Sequence, residues 1–156
     1  MTNPSLDFFM EKALQEAEKS YQNNEVPVGA VITYQDKIIS TGQNLLIKNN
    51  DPTAHAEIIA IKNASQYLNN YRLINCDLYV TLEPCIMCLG AIFHTRIRNL
   101  YFGAHDLKTG ACGGLINLKD NKQLNHHCNI HGGIAESKSR KILQSFFKEK
   151  RIKKTP

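Results

Sequence analysis

No apolar run in this chain approaches the roughly 18 residues a membrane-spanning helix requires. No membrane partner is therefore expected. The first twenty residues carry Asp7, Glu11, Glu16 and Glu18 and lack a basic head followed by an apolar stretch, so no secretory leader is expected. Cysteine is sparse and odd in number: there are five, Cys76, Cys85, Cys88, Cys112 and Cys128. An odd set without a leader argues against a disulfide framework and for the reducing cytoplasm. Internal repeats, linkers and low-complexity segments are also missing. The 156 residues, 42% hydrophobic and 21% charged, suit one globular domain, residues 1–156, long enough to bury a core.

Acidic residues are nearly absent from the last twenty positions. Residues 137–156 hold eight basic residues (Lys138, Arg140, Lys141, Lys148, Lys150, Arg151, Lys153 and Lys154) against Glu149 alone. The rest of the chain is slightly acidic, so the net charge of +5 belongs to the C-terminal region, about 134–156. Such a segment suits a polyanion, most simply nucleic acid. A solvated helix end with a solubilising tail is the alternative.

The pattern of apolar residues gives the element order. Leu6, Phe9, Met10, Ala13, Leu14 and Ala17 recur at helical spacing and predict a helix over about 5–23. Val28–Tyr34 and Lys37–Gly42, joined by a tight turn, predict a β-hairpin. A polar loop follows over 43–52. Thr53 is a candidate N-cap for a helix running to about Tyr67. Cys76–Leu82 predicts a buried strand, and Pro84 suits the first position of a helix reaching about His94. Arg98–Phe102 predicts another strand, 103–114 a glycine-rich loop, and Asn129–His131 a short strand. Ile134, Ile142, Leu143, Phe146 and Phe147 mark a final helix ending near Arg151. Strands alternating with helices imply a sheet covered on both faces.

Two stretches carry the chemistry: His55-Ala56-Glu57 and Pro84-Cys85-Ile86-Met87-Cys88. One imidazole and two thiolates are the donors zinc prefers, and three ligands leave the fourth tetrahedral corner for water, as in a catalytic site. Cys85 and Cys88 stand three apart near a helix N-terminus, where the dipole favours thiolate. Glu57 lies two residues from His55, placed to move protons without ligating the metal. H-x-E followed by P-C-x-x-C is the signature of zinc-dependent nucleobase deaminases. A structural zinc would need a fourth ligand, for which Cys112, Cys128 and His126 are available. His94, His105, His126, His127 and His131 match no ligand spacing with the cysteines and read as surface or capping residues.

The longer stretches Glu25-Val-Pro-Val-Gly-Ala-Val31, Asp51-Pro-Thr-Ala-His-Ala-Glu57, Tyr71-Arg-Leu73, Leu78-Tyr-Val-Thr-Leu-Glu-Pro-Cys-Ile-Met-Cys-Leu-Gly-Ala91 and Phe102-Gly-Ala-His-Asp-Leu-Lys-Thr-Gly-Ala111 resemble the bacterial tRNA-specific adenosine deaminases. The resemblance runs from about Phe8 to Arg151. It implies a cytidine-deaminase-like fold, a three-layer α/β/α sandwich around a mixed five-stranded sheet. It implies conversion of adenosine to inosine at wobble position 34 of a tRNA anticodon stem-loop, by a homodimer holding one Zn2+ per subunit. At matching positions His55, Cys85 and Cys88 would be the zinc ligands and Glu57 the proton shuttle. Asn44 would bond the target nucleoside, Asp106 would contact the backbone or ribose beside it, and Val28, Leu82 and Ala56 would lie about the base. His105 and Leu107 depart from the family pattern, where Arg and Ala are common, and Cys112 is unusual.

The residues themselves agree in kind. A base is attacked only when unstacked, as in an anticodon loop. Phe146, Phe147, Lys108, Lys148, Lys150 and Arg151 are candidate RNA contacts, combining stacking rings with backbone charge. Adjacent residues on a helix point to different sides, so one of the two phenylalanines is expected in the core. The competing readings are a deaminase of free bases or nucleosides and a non-enzymatic RNA-binding subunit keeping zinc structurally.

Overall fold

In the computed structural model, residues 4–126 and 128–154 are described. Helix α1 spans Pro4–Gln22, and strands β1 (Gly29–Tyr34) and β2 (Lys37–Gln43) follow. Helices α2 (Leu46–Asn49) and α3 (Ala56–Leu68) lead to β3 (Cys76–Leu82) and α4 (Ile86–Thr95). The chain closes with β4 (Asn99–Ala104), β5 (Asn129–His131) and α5 (Glu136–Lys154).

The strands form one five-stranded sheet in the order β2-β1-β3-β4-β5. β1 is antiparallel to both β2 and β3, whereas β3–β4 and β4–β5 are parallel. The sheet is mixed because a two-residue turn joins β1 to β2, with Gln35 and Asp36 at φ 51° and 62°, while α4 supplies the crossover between β3 and β4.

Strand alternation sorts the core into two layers. Ala30, Ile32, Leu78, Val80, Leu100 and Phe102 cluster with Ala56, Ala60 and Ala64 of α3 and Leu89 and Ile92 of α4. Val31 and Tyr79, on the other face, cluster with Phe9, Met10 and Ala13 of α1. Helix α5 packs beside α1 against β3 and β4. The result is the expected α/β/α sandwich. Gly42 sets the approach of α3: a Cβ there would stand 2.2 Å from the Ala56 carbonyl oxygen.

Three boundaries differ from the sequence reading. Thr53 does not cap α3; Asp51 Oδ1 accepts both its N–H (2.8 Å) and its hydroxyl (2.7 Å), closing a separate turn. His55 occupies the N-cap position instead, extended at φ −70° and ψ 154°. Pro84 is likewise outside α4. Its carbonyl accepts the Ala111 N–H at 2.9 Å, and Cys85 takes the N-cap position at φ −77° and ψ 176°. The polar loop over 43–52 contains α2, whose own N-cap residue, Leu45, makes no side-chain capping bond.

Candidate active site

Both chemical stretches therefore sit where a chain turns from extended backbone into a helix. That conformation projects the N-cap side chain off the helix end rather than along its flank. His55, at the start of α3, and Cys85, at the start of α4, are brought together this way, and Cys88 is added from the first turn of α4. His55 Nδ1 lies 3.7 Å from Cys85 Sγ and 3.4 Å from Cys88 Sγ. The three donor atoms lie within 4.8 Å of one another. Among the described residues, Cys112, Cys128 and His126 do not join them. His126 Nε2 is instead 3.0 Å from the Ile97 carbonyl oxygen. His127 lies outside the described residues.

The charge balance of the trio calls for a cation. The Cys88 thiol and the His55 ring hydrogen-bond to Cys85 sulfur and push its thiol down to about 4. Cys88 is pushed up, by its hydrogen bond with Cys85 and by burial. The two sulfurs therefore oppose each other's ionisation, and a cation among the three donors would favour the anionic form of both. One nitrogen and two sulfurs at this spacing fit one zinc, with a corner left over.

Glu57, the second residue of α3, is 4% exposed. Burial pushes its carboxyl up to about 7, against the partial pull of its own backbone N–H and of His55. A carboxyl poised near neutrality both accepts and returns a proton. Glu57, His55 and Cys85 line a cavity of about 860 Å³. Cys88 is fully buried behind them, as is Ala56, whose backbone rather than side chain is engaged.

Val28 and Leu82 line the same cavity. So does Asn44, with its amide already engaged: Oδ1 accepts the Ala56 N–H at 2.8 Å and Nδ2 donates to the Val26 carbonyl at 3.0 Å. Asn44 thereby does from a distance what His55 does not, capping the first N–H of α3 and fixing the turn that carries Glu57. Its amide nitrogen has a second hydrogen to offer a bound nucleoside. Asp106 lines the mouth and folds its own loop. Its Oδ1 accepts the Lys108 and Thr109 N–H groups at 2.9 and 3.2 Å, and Oδ2 accepts the Thr109 hydroxyl at 2.7 Å.

The basic helix α5 completes the mouth. Phe146 is buried, stacked edge-on with Tyr21 at 5.5 Å, whereas Phe147 is 45% exposed. This is the division expected of adjacent helical residues. Both rings line the cavity, with Lys150 and Lys108. Lys150 Nζ bonds Asn24 Oδ1 at 2.5 Å and sits 5.3 Å above the Phe146 ring. Lys148 and Arg151 are exposed on the same helix, outside the cavity lining.

Sequence reasoning passed over two cavity residues, Glu25 and Glu83, both 2% exposed. The available signal was a lone acidic residue against an apolar strand: Glu25 before Val26-Pro27-Val28, and Glu83 between Leu82 and Pro84. A charge at such a place is buried, and a buried charge needs partners.

A mixed sheet with a His-Cys-Cys trio and a glutamate at two helix starts defines a zinc-dependent deaminase. The cytidine and deoxycytidylate deaminase zinc-binding region matches residues 4–104, and the chain belongs to that family. Its curated relatives include the tRNA-specific adenosine deaminase of Haemophilus influenzae, 47% identical over 93% of this chain and 84% of that protein. Another, from Buchnera aphidicola, is 47% identical over 93% and 95%. A solved structure from work on A-to-I editing by tRNA:A34 deaminases superposes with a TM-score of 0.85, at 44% identity over 87% of this chain and 99% of the other. The guanine deaminase of Bacillus subtilis is 40% identical over 67% and 66%, with a TM-score of 0.62.

Proposed function

We propose that the chain is a hydrolytic tRNA adenosine deaminase, converting adenosine to inosine at wobble position 34 of an anticodon. The observation that carries this reading is a proton-transferring glutamate and a zinc-binding trio in an 860 Å³ cavity whose mouth bears Phe147 and Lys150 of a basic helix. That volume lies near the top of the range for small-molecule pockets, and a rim of ring and cation suits a nucleotide held within RNA better than a free base. Kinship with tRNA-specific adenosine deaminases over nearly the whole chain supports the same substrate.

The reaction adds water at C6 of adenine and breaks the C6–N6 bond, giving inosine and ammonia. Zinc, when bound by His55, Cys85 and Cys88, supplies the Lewis acidity that makes water nucleophilic at neutral pH. The chain does the rest. Glu57 takes one proton from the water and delivers it to the ring nitrogen beside the attacked carbon, then takes the second from the newly added hydroxyl and passes it to the departing amine. Val28 and Leu82 wall the base and exclude bulk water. Asn44 offers its remaining amide hydrogen to the nucleoside, and Asp106 meets the backbone or ribose beside it. We infer a homodimeric, cytoplasmic enzyme, a reading supported by the family resemblance and by five unbridged cysteines.

The test is a single-turnover assay of zinc-loaded protein on a short anticodon stem-loop with adenosine at the wobble position. Inosine is the expected product. Turnover of free guanine or cytosine with no inosine in the RNA would establish instead the free-base reading that the 40% identical guanine deaminase favours.

Lys148, Lys150 and Arg151 give a second prediction. Neutralising all three is expected to weaken stem-loop binding and to reduce the slope of log K against log salt by about two to three units, close to one per lost phosphate contact. Binding titrations at several salt concentrations measure the slope. An unaltered slope would assign these charges to solubility alone.

A further inference from the structure

Two buried carboxylates take no part in the chemistry above. Glu83 stands at the end of β3 with its side chain wholly enclosed. Its Oε1 accepts the Asp106 N–H at 3.0 Å, and its Oε2 accepts the N–H groups of Cys112 and Gly114, each at 2.9 Å. Three backbone donors from one loop thus converge on one carboxylate. The loop wraps it at a range side chains forbid: a Cβ at Gly110 would lie 2.2 Å from Oε2, and one at Gly114 2.8 Å from Oε1. His105 Nδ1 approaches Oε1 from the exposed side at 3.6 Å.

Glu25 repeats the device on another stretch of the mouth. Its two carboxylate oxygens each lie 3.1 Å from the Ile47 nitrogen, and Oε2 also accepts the Lys48 N–H at 3.0 Å. It supplies the cap that α2 lacks. The two gripped segments carry the most exposed large hydrophobic residues of the cavity lining: Ile47 at 66% and Leu107 at 77%. α2 buries none of its side chains, and Leu107, Lys108 and Thr109 are exposed although Ala111 and Cys112 tie the far end of their loop to the core, so the geometry of these solvent-facing parts depends on what holds their backbone.

We propose that Glu83 and Glu25 are positioning residues for the reaction, each holding one rim of the pocket by its backbone N–H groups so that the surfaces flanking the target nucleotide are formed before RNA arrives. The inference rests on the tRNA reading above. Ordering a rim in advance removes that ordering cost from binding. The consequence falls on RNA affinity rather than on the chemical step, because neither carboxylate belongs to the zinc-binding trio or to Glu57.

Glu83→Gln and Glu25→Gln test it. Each variant keeps the side-chain volume but turns an N–H donor toward backbone donors. Steady-state kinetics on the anticodon stem-loop are expected to show KM raised about tenfold with kcat within about twofold, and zinc still at one per chain. A merely structural role would instead lower the active fraction, and so kcat, without moving KM. That result, or unchanged KM in both variants, would overturn the proposal. Amide hydrogen exchange on the wild-type protein provides a readout free of activity and of variant folding. The amides of Asp106, Cys112, Gly114, Ile47 and Lys48 are expected to exchange at least about 100-fold more slowly than that of exposed Leu107. Comparable rates would also overturn it. Wild-type protein that makes no inosine would overturn the substrate reading instead, leaving exchange to decide whether the rims are held.

Discussion

Glu57→Gln is expected to lower the single-turnover rate of inosine formation by about 100- to 10,000-fold, the usual contribution of positioned proton transfer. The substitution is nearly isosteric at a residue 4% exposed, so packing is preserved while the proton carrier is lost. Zinc should remain at one per chain, because the three donor residues do not include Glu57. Stem-loop affinity should change little for the same reason. Rate, metal content and binding measured on one preparation separate the outcomes. A rate within about tenfold of wild type, with zinc present, would remove Glu57 from the proton path and return weight to a non-enzymatic RNA-binding role.

Cys88→Ala is expected to abolish stoichiometric zinc and to destabilise the fold well beyond the loss of one sulfur atom. Cys88 is fully buried in the first turn of α4 and faces His55 Nδ1 at 3.4 Å. Zinc joins the starts of α3 and α4, so metal binding and folding are linked. With free zinc about 100-fold above Kd, linkage contributes about 2.7 kcal/mol. For a domain this size that corresponds to roughly 5–11 °C in Tm. Cys76→Ala is the control: it removes an equally buried thiol outside the trio, costs about 1 kcal/mol in packing and should leave zinc in place. Metal analysis with thermal unfolding, with and without added zinc, reads both effects. Full zinc occupancy in Cys88→Ala would refute the ligand assignment.

Much of the fold was legible because its signals are short-range. The Gln35-Asp36 turn, the β-rich run of Cys76–Leu82 and the helical stripe of Leu6, Phe9, Met10 and Ala13 each report on neighbours in sequence. Even the three-residue strand Asn129–His131 was legible, although only its pairing with β4 makes it a strand. The errors fell at helix starts. Thr53 and Pro84 are sound local choices, but each found another partner: Asp51, two residues earlier, claimed Thr53 for a tight turn, and distant Ala111 claimed the Pro84 carbonyl. α2 escaped notice because its cap, Glu25, lies more than twenty residues away.

The sequence by itself determined the chemistry. The side chains of His55, Glu57, Cys85 and Cys88 restrict the metal and the reaction class wherever the backbone places them, because ligand softness and proton affinity belong to the side chains. That a helix follows each pair was legible too, although its first residue was not. Only the tertiary structure decided how those helix starts meet. It set Asn44 as the distant cap of α3, buried Phe146 while leaving Phe147 at the mouth, and made Glu25 and Glu83 internal acceptors rather than surface charges. The physical reason is the range of the interactions. Propensity and periodicity act within a few residues, whereas a buried polar group is satisfied by whichever partner the folded chain brings to it.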